Sequence, residues 1–171
     1  MTKIKTGILH RTFEIDRAAD REGRLVPLSF SSEEPVERWF GTEILDHSPG
    51  SVRMGRLVDG LPVLLNHQHD KQVAILQDAT IGQDRKGRGN ARFGKSSLAT
   101  EVLGDIKDGI RKYVSVGYQI HSMRLEDETD DKKVYRAMDW EPMEVSIVSI
   151  PADTTVGINR EADSHETEIL T

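Results

Sequence analysis

Short runs of alternating polar and apolar residues dominate the chain, and this period of two predicts β-strands. Such runs cover residues 3–15, 25–30, 36–46, 52–58, 63–65, 73–81, 91–93, 113–123 and 134–140. Pro27 lies in the second run and predicts a sheet edge or a bulge there, because proline cannot donate to a strand ladder. The most apolar run extends from Met143 to Ile150 and ends at Pro151.

A different period identifies one helix. In residues 97–111, apolar side chains recur every four positions at Leu98, Val102, Ile106 and Ile110, which predicts a helix packed on a sheet. Many short strands with one or a few helices are typical of a mainly β fold. We therefore expect an α+β chain built on a curved or closed β-barrel with the helices outside.

Composition narrows the possible functions. A length of 171 residues predicts one domain, which we place at residues 1–159, with a polar acidic tail at 160–171 that is disordered or processed. The formal net charge of -6 and the lack of a basic cluster argue against a nucleic-acid surface. The absence of cysteine excludes disulfides, thiol catalysis and cysteine-based zinc sites. No apolar run approaches ~18 residues, so we expect no membrane segment and a cytoplasmic location.

The candidate chemistry begins in the predicted strand Lys112–Tyr118. Alternation places Ser115 and Gly117 on one face of this strand, opposite an apolar face formed by Val114, Val116 and Tyr118. A serine between two valines can be a small polar residue that hydrogen-bonds to its neighbours. It can also be a nucleophile, since the glycine leaves open space beside the hydroxyl.

Two histidines follow a short apolar strand. His67 and His69 would share a face if that strand continued, and Asp70 comes directly after them. Three interpretations remain open from the residues: exposed loop histidines, a metal site, or a general base for a hydroxyl nucleophile. The metal interpretation lacks the extended His-x-His-x-Asp-His spacing, because Lys71 and Gln72 follow Asp70.

A nucleophile with a histidine base also needs a group that orients the imidazole. Glu144 begins the apolar strand that ends at Ile150, and a carboxylate in that position is costly to bury without a partner. It can serve as the orienting group, or it can be a carboxylate at a strand edge. Ser115 is not part of a Gly-x-Ser-x-Gly turn, since residue 113 is tyrosine.

Three segments in this order resemble the prohead maturation protease family of tailed bacteriophages. They are an apolar strand ending in Asn66-His67, a helix leading into the strand Val114–Tyr118, and the strand Met143–Asp153 with its Glu-Val-Ser-Ile-Val and Pro-Ala elements. Any one segment is weakly specific, whereas the three together cover residues 62–153 in register.

The resemblance implies a serine endopeptidase with a fold similar to the herpesvirus assembly protease. Carried over by position, Ser115 is the nucleophile, His67 is the general base and Glu144 is the third member. The presence of His69 leaves a second candidate for the base, and the position directly after Asn66 favours His67. The resemblance implies no cofactor and no catalytic metal.

The resemblance also implies partners and a location. The substrates would be the scaffold or the scaffolding segment of the major capsid protein, and also the protease itself, inside the procapsid in the host cytoplasm. A homo-oligomer is a further expectation. Two alternatives stay open: a catalytically silent capsid-assembly or scaffold protein of the same fold, and a His-x-His metallohydrolase.

Overall fold

A computed structural model of the protein describes residues 2–15, 23–151 and 165–170. The strands are β1 (Thr2–Lys5), β2 (Leu9–Glu14), β3 (Leu25–Ser32), β4 (Val36–Arg38), β5 (Gly41–Leu45), β6 (Leu61–Leu65), β7 (Gln68–Ile81), β8 (Lys86–Phe93), β9 (Tyr113–Glu128), β10 (Lys133–Val148) and β11 (Glu166–Leu170). The helices are α1 (Gly55–Asp59) and α2 (Ser97–Lys107). The predicted mainly β class is therefore confirmed.

The strands form one sheet with a central hairpin. Its main path runs β1-β11-β9-β10-β6-β7-β8-β3, with β2 added to β9 and the β4–β5 hairpin added to β10. Within the described residues, the first and last strands of this path, β1 and β3, are not paired with each other. The sheet is not closed into a barrel there, so the barrel remains a prediction.

The hairpin of β9 and β10 provides most of the scaffold. The two strands pair antiparallel from Lys133 opposite Glu128 to Val148 opposite Tyr113. The sequence runs at 134–140 and 143–150 predict two strands, but the structure has one continuous strand across most of both. The register shifts between Pro142 and Glu144, as expected where proline cannot donate to the ladder.

The predicted strand at 52–58 is wrong, because residues 55–59 form the helix α1 instead. Val52 makes only an isolated bridge to Trp140. Val52 and Leu57 are both buried, although residues five positions apart would point to opposite faces of a strand. Gly60, with a φ of 98°, follows the helix in a conformation that favours glycine.

The predicted helix at 97–111 is confirmed over its first eleven residues. Ser96 caps it, since its side chain accepts a hydrogen bond from the backbone N–H of Ala99 at 3.1 Å. The helix ends at Lys107. Gly109 then adopts a positive φ, and Ile110 is 69% exposed rather than part of the buried stripe.

The core is aliphatic with a few large aromatic side chains. The largest fully buried side chains include Trp140, Tyr118, Phe30, Leu45, Leu61, Leu76, Ile106, Ile120, Met123 and Ile147. No helix in the described ranges has the length and apolar character needed to cross a membrane.

The predicted C-terminal tail contributes a strand within its described part. In β11, Thr167 and Ile169 are buried, and the strand pairs with both β1 and β9. The rest of the segment 160–171 lies outside the described residues, and the boundary between domain and tail stays a prediction.

A buried ionic network ties β2 to the hairpin. The Arg11 guanidinium donates to Glu43 Oε1 at 3.0 Å and to the Tyr118 hydroxyl at 3.2 Å. Arg38 donates to the other Glu43 oxygen at 3.2 Å and to the same hydroxyl at 2.7 Å. The Tyr118 hydroxyl donates to Glu43, and burial raises the pKa of Tyr118, so this donor keeps its proton.

Replacing Arg11 by methionine should destabilise the protein by about 3 kcal/mol. The apolar stem is kept, whereas Glu43, which is fully buried, loses one of its two cations. Urea denaturation measures the change. The control is Arg53→Met, which removes a half-exposed partner of Asp139 and should cost about 0–1 kcal/mol. Equal losses in the two variants would contradict a stabilising role for the network.

Candidate active site

The candidate base lies in a tight turn between two strands. Asn66 and His67 form the two-residue connection from β6 to β7, and the flanking residues Leu65 and Gln68 pair with each other. The φ angles of Asn66 and His67 are 50° and 59°, as in a type I′ hairpin turn, where both central residues need positive φ. Asparagine suits the first of these positions, whereas histidine in the second is uncommon.

Hydrogen bonds to β10 hold this turn in place. The Asn66 N–H donates to the Ile147 carbonyl at 2.9 Å, and its side-chain oxygen accepts from the Ser149 N–H at 3.1 Å. The His67 N–H donates to the Ser146 hydroxyl at 3.0 Å. The turn therefore has a fixed position relative to the strand that carries Glu144.

Glu144 binds the imidazole of His67. The His67 Nδ1 and Glu144 Oε1 atoms are 2.5 Å apart, and the other carboxylate oxygen accepts from the Ser146 hydroxyl at 2.9 Å. With Nδ1 donating to a carboxylate, Nε2 is the nitrogen that can accept a proton. The structure thus brings together two of the three predicted site residues, in the arrangement that a histidine base and its orienting carboxylate would need in a hydrolytic triad.

Ser115 lies beside this pair on the central hairpin. Antiparallel register places Ser115 opposite Ser146 and Gly117 opposite Glu144, so all four residues share one face of the sheet. The Ser115 side chain is fully buried, and its Oγ has no hydrogen-bond partner among the described residues. No hydrogen bond joins Ser115 to His67 there.

The second histidine of the His-x-His pair lines a cleft together with His67, but in the described part of the chain no hydrogen bond or ion pair joins it to Glu144. His69 and Asp70 are exposed at the start of β7. Among the described residues, the one group of three potential metal ligands consists of His10, His67 and Glu144. The metal alternative considered from the sequence, with His67, His69 and Asp70 as ligands, is therefore not the set that the fold assembles.

Sequence reasoning missed His10 and Ser146. His10 lies on β2 opposite Gly117, and its ring packs edge-on against that of His67 with centroids 4.4 Å apart. The period-two alternation of Glu144 and Ser146 along one strand was a signal for Ser146. No local signal indicated His10, because its position depends on the pairing of β2 with a strand about a hundred residues away.

Gly117 provides the space in which these side chains meet. A Cβ at this position would lie 2.7 Å from Glu144 Oε1 and 3.4 Å from His10 Nε2. The first distance is shorter than real carbon contacts allow, so any larger residue would displace the carboxylate. The absence of a side chain at Gly117 therefore leaves the space that the Glu144 carboxylate occupies when it binds His67.

A cleft of about 560 Å³ opens beside the pair. The polar side chains along it are His10, His67, His69, Gln72 and Glu144, and an apolar wall is formed by Ile8, Pro62, Leu64 and Met143. Its volume falls in the range typical of small-ligand pockets, and it places an apolar surface directly next to the imidazole.

Comparison with known proteins relates the chain to phage capsid proteins. Residues 48–168 match the family model described as caudovirus prohead serine protease. A major capsid protein of Halomonas phage phiHAP-1 is 44% identical over 141 residues, which are 80% of this chain and 23% of that relative. The chain thus spans less than a quarter of the length of that relative. No solved structure matches.

The family match covers most of the chain and includes the turn of His67, the strand of Ser115 and the strand of Glu144, in the order on which the resemblance was based. The chain therefore belongs to the caudovirus prohead serine protease family.

Proposed function

We propose that the protein is a serine endopeptidase of capsid maturation, with Ser115 as nucleophile, His67 as general base and Glu144 as the group that orients the base. The observation that carries this proposal is the 2.5 Å contact between His67 Nδ1 and Glu144 Oε1. It lies on the same sheet face as a buried serine hydroxyl that has no hydrogen-bond partner among the described residues. A buried hydroxyl of this kind is rare and calls for an explanation.

The proposed reaction follows from these roles. Ser115 Oγ attacks the carbonyl carbon of the scissile peptide bond while His67 Nε2 takes the hydroxyl proton. Glu144 holds the other ring nitrogen and stabilises the imidazolium. The imidazolium then protonates the leaving amine, which breaks the C–N bond and leaves an acyl-serine. Water attacks this ester with His67 again as base, which releases the acid and restores Ser115.

The missing contact between Ser115 and His67 is compatible with this mechanism. In proteins without bound substrate, catalytic hydrogen bonds are often long and form fully only in the substrate complex. Burial of Ser115 means that the cleft must open locally before a peptide reaches the hydroxyl.

The proposed substrate is a capsid protein. The relative from Halomonas phage phiHAP-1 is named a major capsid protein and is much longer than this chain, so a region like this one and a capsid protein occur there in one polypeptide. We propose that the protein cleaves the scaffolding segment of its capsid protein or a separate scaffold, and also itself, inside the procapsid. Assembly as a homo-oligomer remains part of this proposal.

Two observations favour a second candidate function. Ser115 is fully buried and not bonded to His67, and the named relative is a capsid protein. A catalytically silent capsid-assembly protein would have the same fold and the same partners. The His67–Glu144 pair favours the enzyme, because a structural protein has no need of an oriented imidazole beside a cleft.

Replacing Ser115 by alanine should abolish cleavage, with a loss of at least about 10³-fold, since the triad acts as a unit. The test is co-expression with the capsid protein of the same phage and mass spectrometry of both chains. Ser122→Ala is the matched control, because Ser122 lies on the same strand β9 outside the site and should leave cleavage unchanged.

Three results would contradict the proposal. Uncut chains in both wild type and Ser115→Ala, with shells that still assemble, would support the structural candidate. Cleavage that survives Ser115→Ala but stops with a chelator would identify a metallohydrolase. Equal loss in Ser115→Ala and Ser122→Ala would indicate a general folding defect.

Substitutions of the two histidines in the His-x-His pair should differ sharply in their effect on cleavage. His67→Asn should lose cleavage as fully as Ser115→Ala does, while His69→Asn should keep most of it, because only His67 contacts Glu144. Asparagine tolerates the positive φ of residue 67, so the turn should stay folded. Cleavage rates of the two variants give the ranking, and the reverse order would assign the base to His69.

Gly117→Ala should lower the cleavage rate by about 10²-fold with little loss of folded protein. The added Cβ would lie 2.7 Å from Glu144 Oε1 and push the carboxylate from the imidazole, and misplacements of about 1 Å can cost this much. Gly104→Ala is the control, since its Cβ on α2 would meet no described atom within 4 Å beyond its chain neighbours and the backbone of its own helix. A Gly117→Ala variant with full activity would exclude the proposed role of Glu144.

A further inference from the structure

We propose that His10, His67 and Glu144 form a binding site for a divalent transition-metal ion, of which Zn²⁺ is the best fit, and that this ion reversibly inhibits the peptidase. The binding part rests on the geometry of the three side chains. The inhibitory part rests on the proposed function, because the ion would occupy the base and its orienting carboxylate.

Three separate chain segments bring the ligands together. His10 comes from β2, His67 from the turn between β6 and β7, and Glu144 from β10. One donor atom from each lies within 4.8 Å of the other two. Zinc binds nitrogen and oxygen at about 2.0–2.2 Å, so tetrahedral ligands stand roughly 3.3 Å apart. To hold the ion between them, His67 Nδ1 and Glu144 Oε1, now 2.5 Å apart, would have to separate.

The donor atoms of Glu144 and His10 meet over Gly117. Two of the donor atoms, Glu144 Oε1 and His10 Nε2, are the nearest polar atoms to the place where a Cβ of residue 117 would be. Both therefore face a space without a side chain. The apolar wall of the cleft lies next to it, which strengthens the attraction between the ion and the carboxylate by lowering the local polarity.

The surroundings hold the ligands as metal sites require. Ser146 fixes the second oxygen of Glu144 at 2.9 Å and the backbone N–H of His67 at 3.0 Å. The Arg38 guanidinium binds the His10 carbonyl at 2.8 Å, so the main chain of β2 is anchored as well. Such outer contacts orient ligands and raise metal affinity.

The ligand types determine the kind of ion. Two imidazoles with one carboxylate are a common set for Zn²⁺ and leave a fourth position for water. Ca²⁺ and Mg²⁺ prefer oxygen ligands, so they should bind far more weakly. Among the described residues, Ser115 Oγ makes no hydrogen bond to any of the three ligands, so its replacement should leave metal binding intact.

His10 distinguishes this site from the proposed catalytic set. It lies outside residues 48–168, the segment that matches the family model, and the proposed reaction assigns it no step. It packs against the ring that the reaction uses. His10 would thus bind the same ion as the base His67 without taking part in the reaction. Removing His10 should therefore weaken inhibition by the metal without removing a group that the reaction uses.

The first experiment measures binding without reference to activity. The untagged full-length Ser115→Ala protein is titrated with Co²⁺, and visible absorption reports tetrahedral coordination, with Zn²⁺ added as competitor. Adding His10→Gln to it should weaken binding by at least about tenfold, because a ligand is lost.

The matched control is His121→Gln in the same Ser115→Ala background. His121 belongs to another edge-on histidine pair, with His165 at 5.0 Å between centroids, and its Nε2 lies 3.4 Å from Glu141. His165 Nε2 is already bonded to the Ile120 carbonyl at 2.8 Å, so this pair should not hold the ion. Unchanged affinity in His10→Gln, or an equal loss in His121→Gln, would overturn the site.

The second experiment tests inhibition in the chain with Ser115 intact. Zn²⁺ should stop cleavage, and a chelator should restore it. For the His10→Gln variant, each cleavage rate is divided by the rate of the same variant without metal. Half-maximal inhibition of this variant should need at least about tenfold more Zn²⁺ than inhibition of the protein with His10. Faster cleavage with Zn²⁺ would overturn the inhibitory role. If the metal-free protein cleaves nothing, the proposed function fails while the Co²⁺ titration still decides the site.

Discussion

The register between β9 and β10 is the constraint on which the rest of the structure depends. This pairing runs along both sixteen-residue strands. It brings Gly117 opposite Glu144 and Ser115 opposite Ser146, although these residues are about thirty positions apart in sequence. A slip of one residue would turn the site face toward the core. The buried Val114, Val116 and Val145 make such a slip costly, because they would leave the core.

The two faces of the hairpin near the site have different tasks. One face carries the candidate site, while Tyr118, the next residue after Gly117, points to the ionic network of Arg11, Glu43 and Arg38. A fully buried carboxylate is tolerated there only because two guanidinium groups and one hydroxyl bind it. Since Arg11 follows His10 on β2, the network fixes the strand that lines the candidate site. The ionic network on one face of the sheet thus helps to hold His10 in position on the other face.

The sequence predicted the strands and the helix whose apolar residues recur at a regular spacing. It did not predict contacts that depend on pairing between strands far apart in the chain. Alternation and the four-residue period gave the mainly β class and the start of α2, and motif order indicated the family. The helix at 55–59 escaped prediction because its only buried side chain is Leu57, too little for a period. The contacts of His10 could not be predicted, since they require β2 to lie beside β9.

The position of His67 illustrates how function and stability compete at one residue. A two-residue turn with positive φ at both positions is most stable with glycine second, and a non-glycine residue there costs of order 1 kcal/mol or more. The chain has histidine instead, and hydrogen bonds from Asn66 and His67 to β10 offset the strain. Because the same bonds fix the imidazole relative to Glu144, the strained turn is also what positions the ring. A glycine at residue 67 would relieve the backbone strain, but it would also remove the imidazole that the turn positions against Glu144.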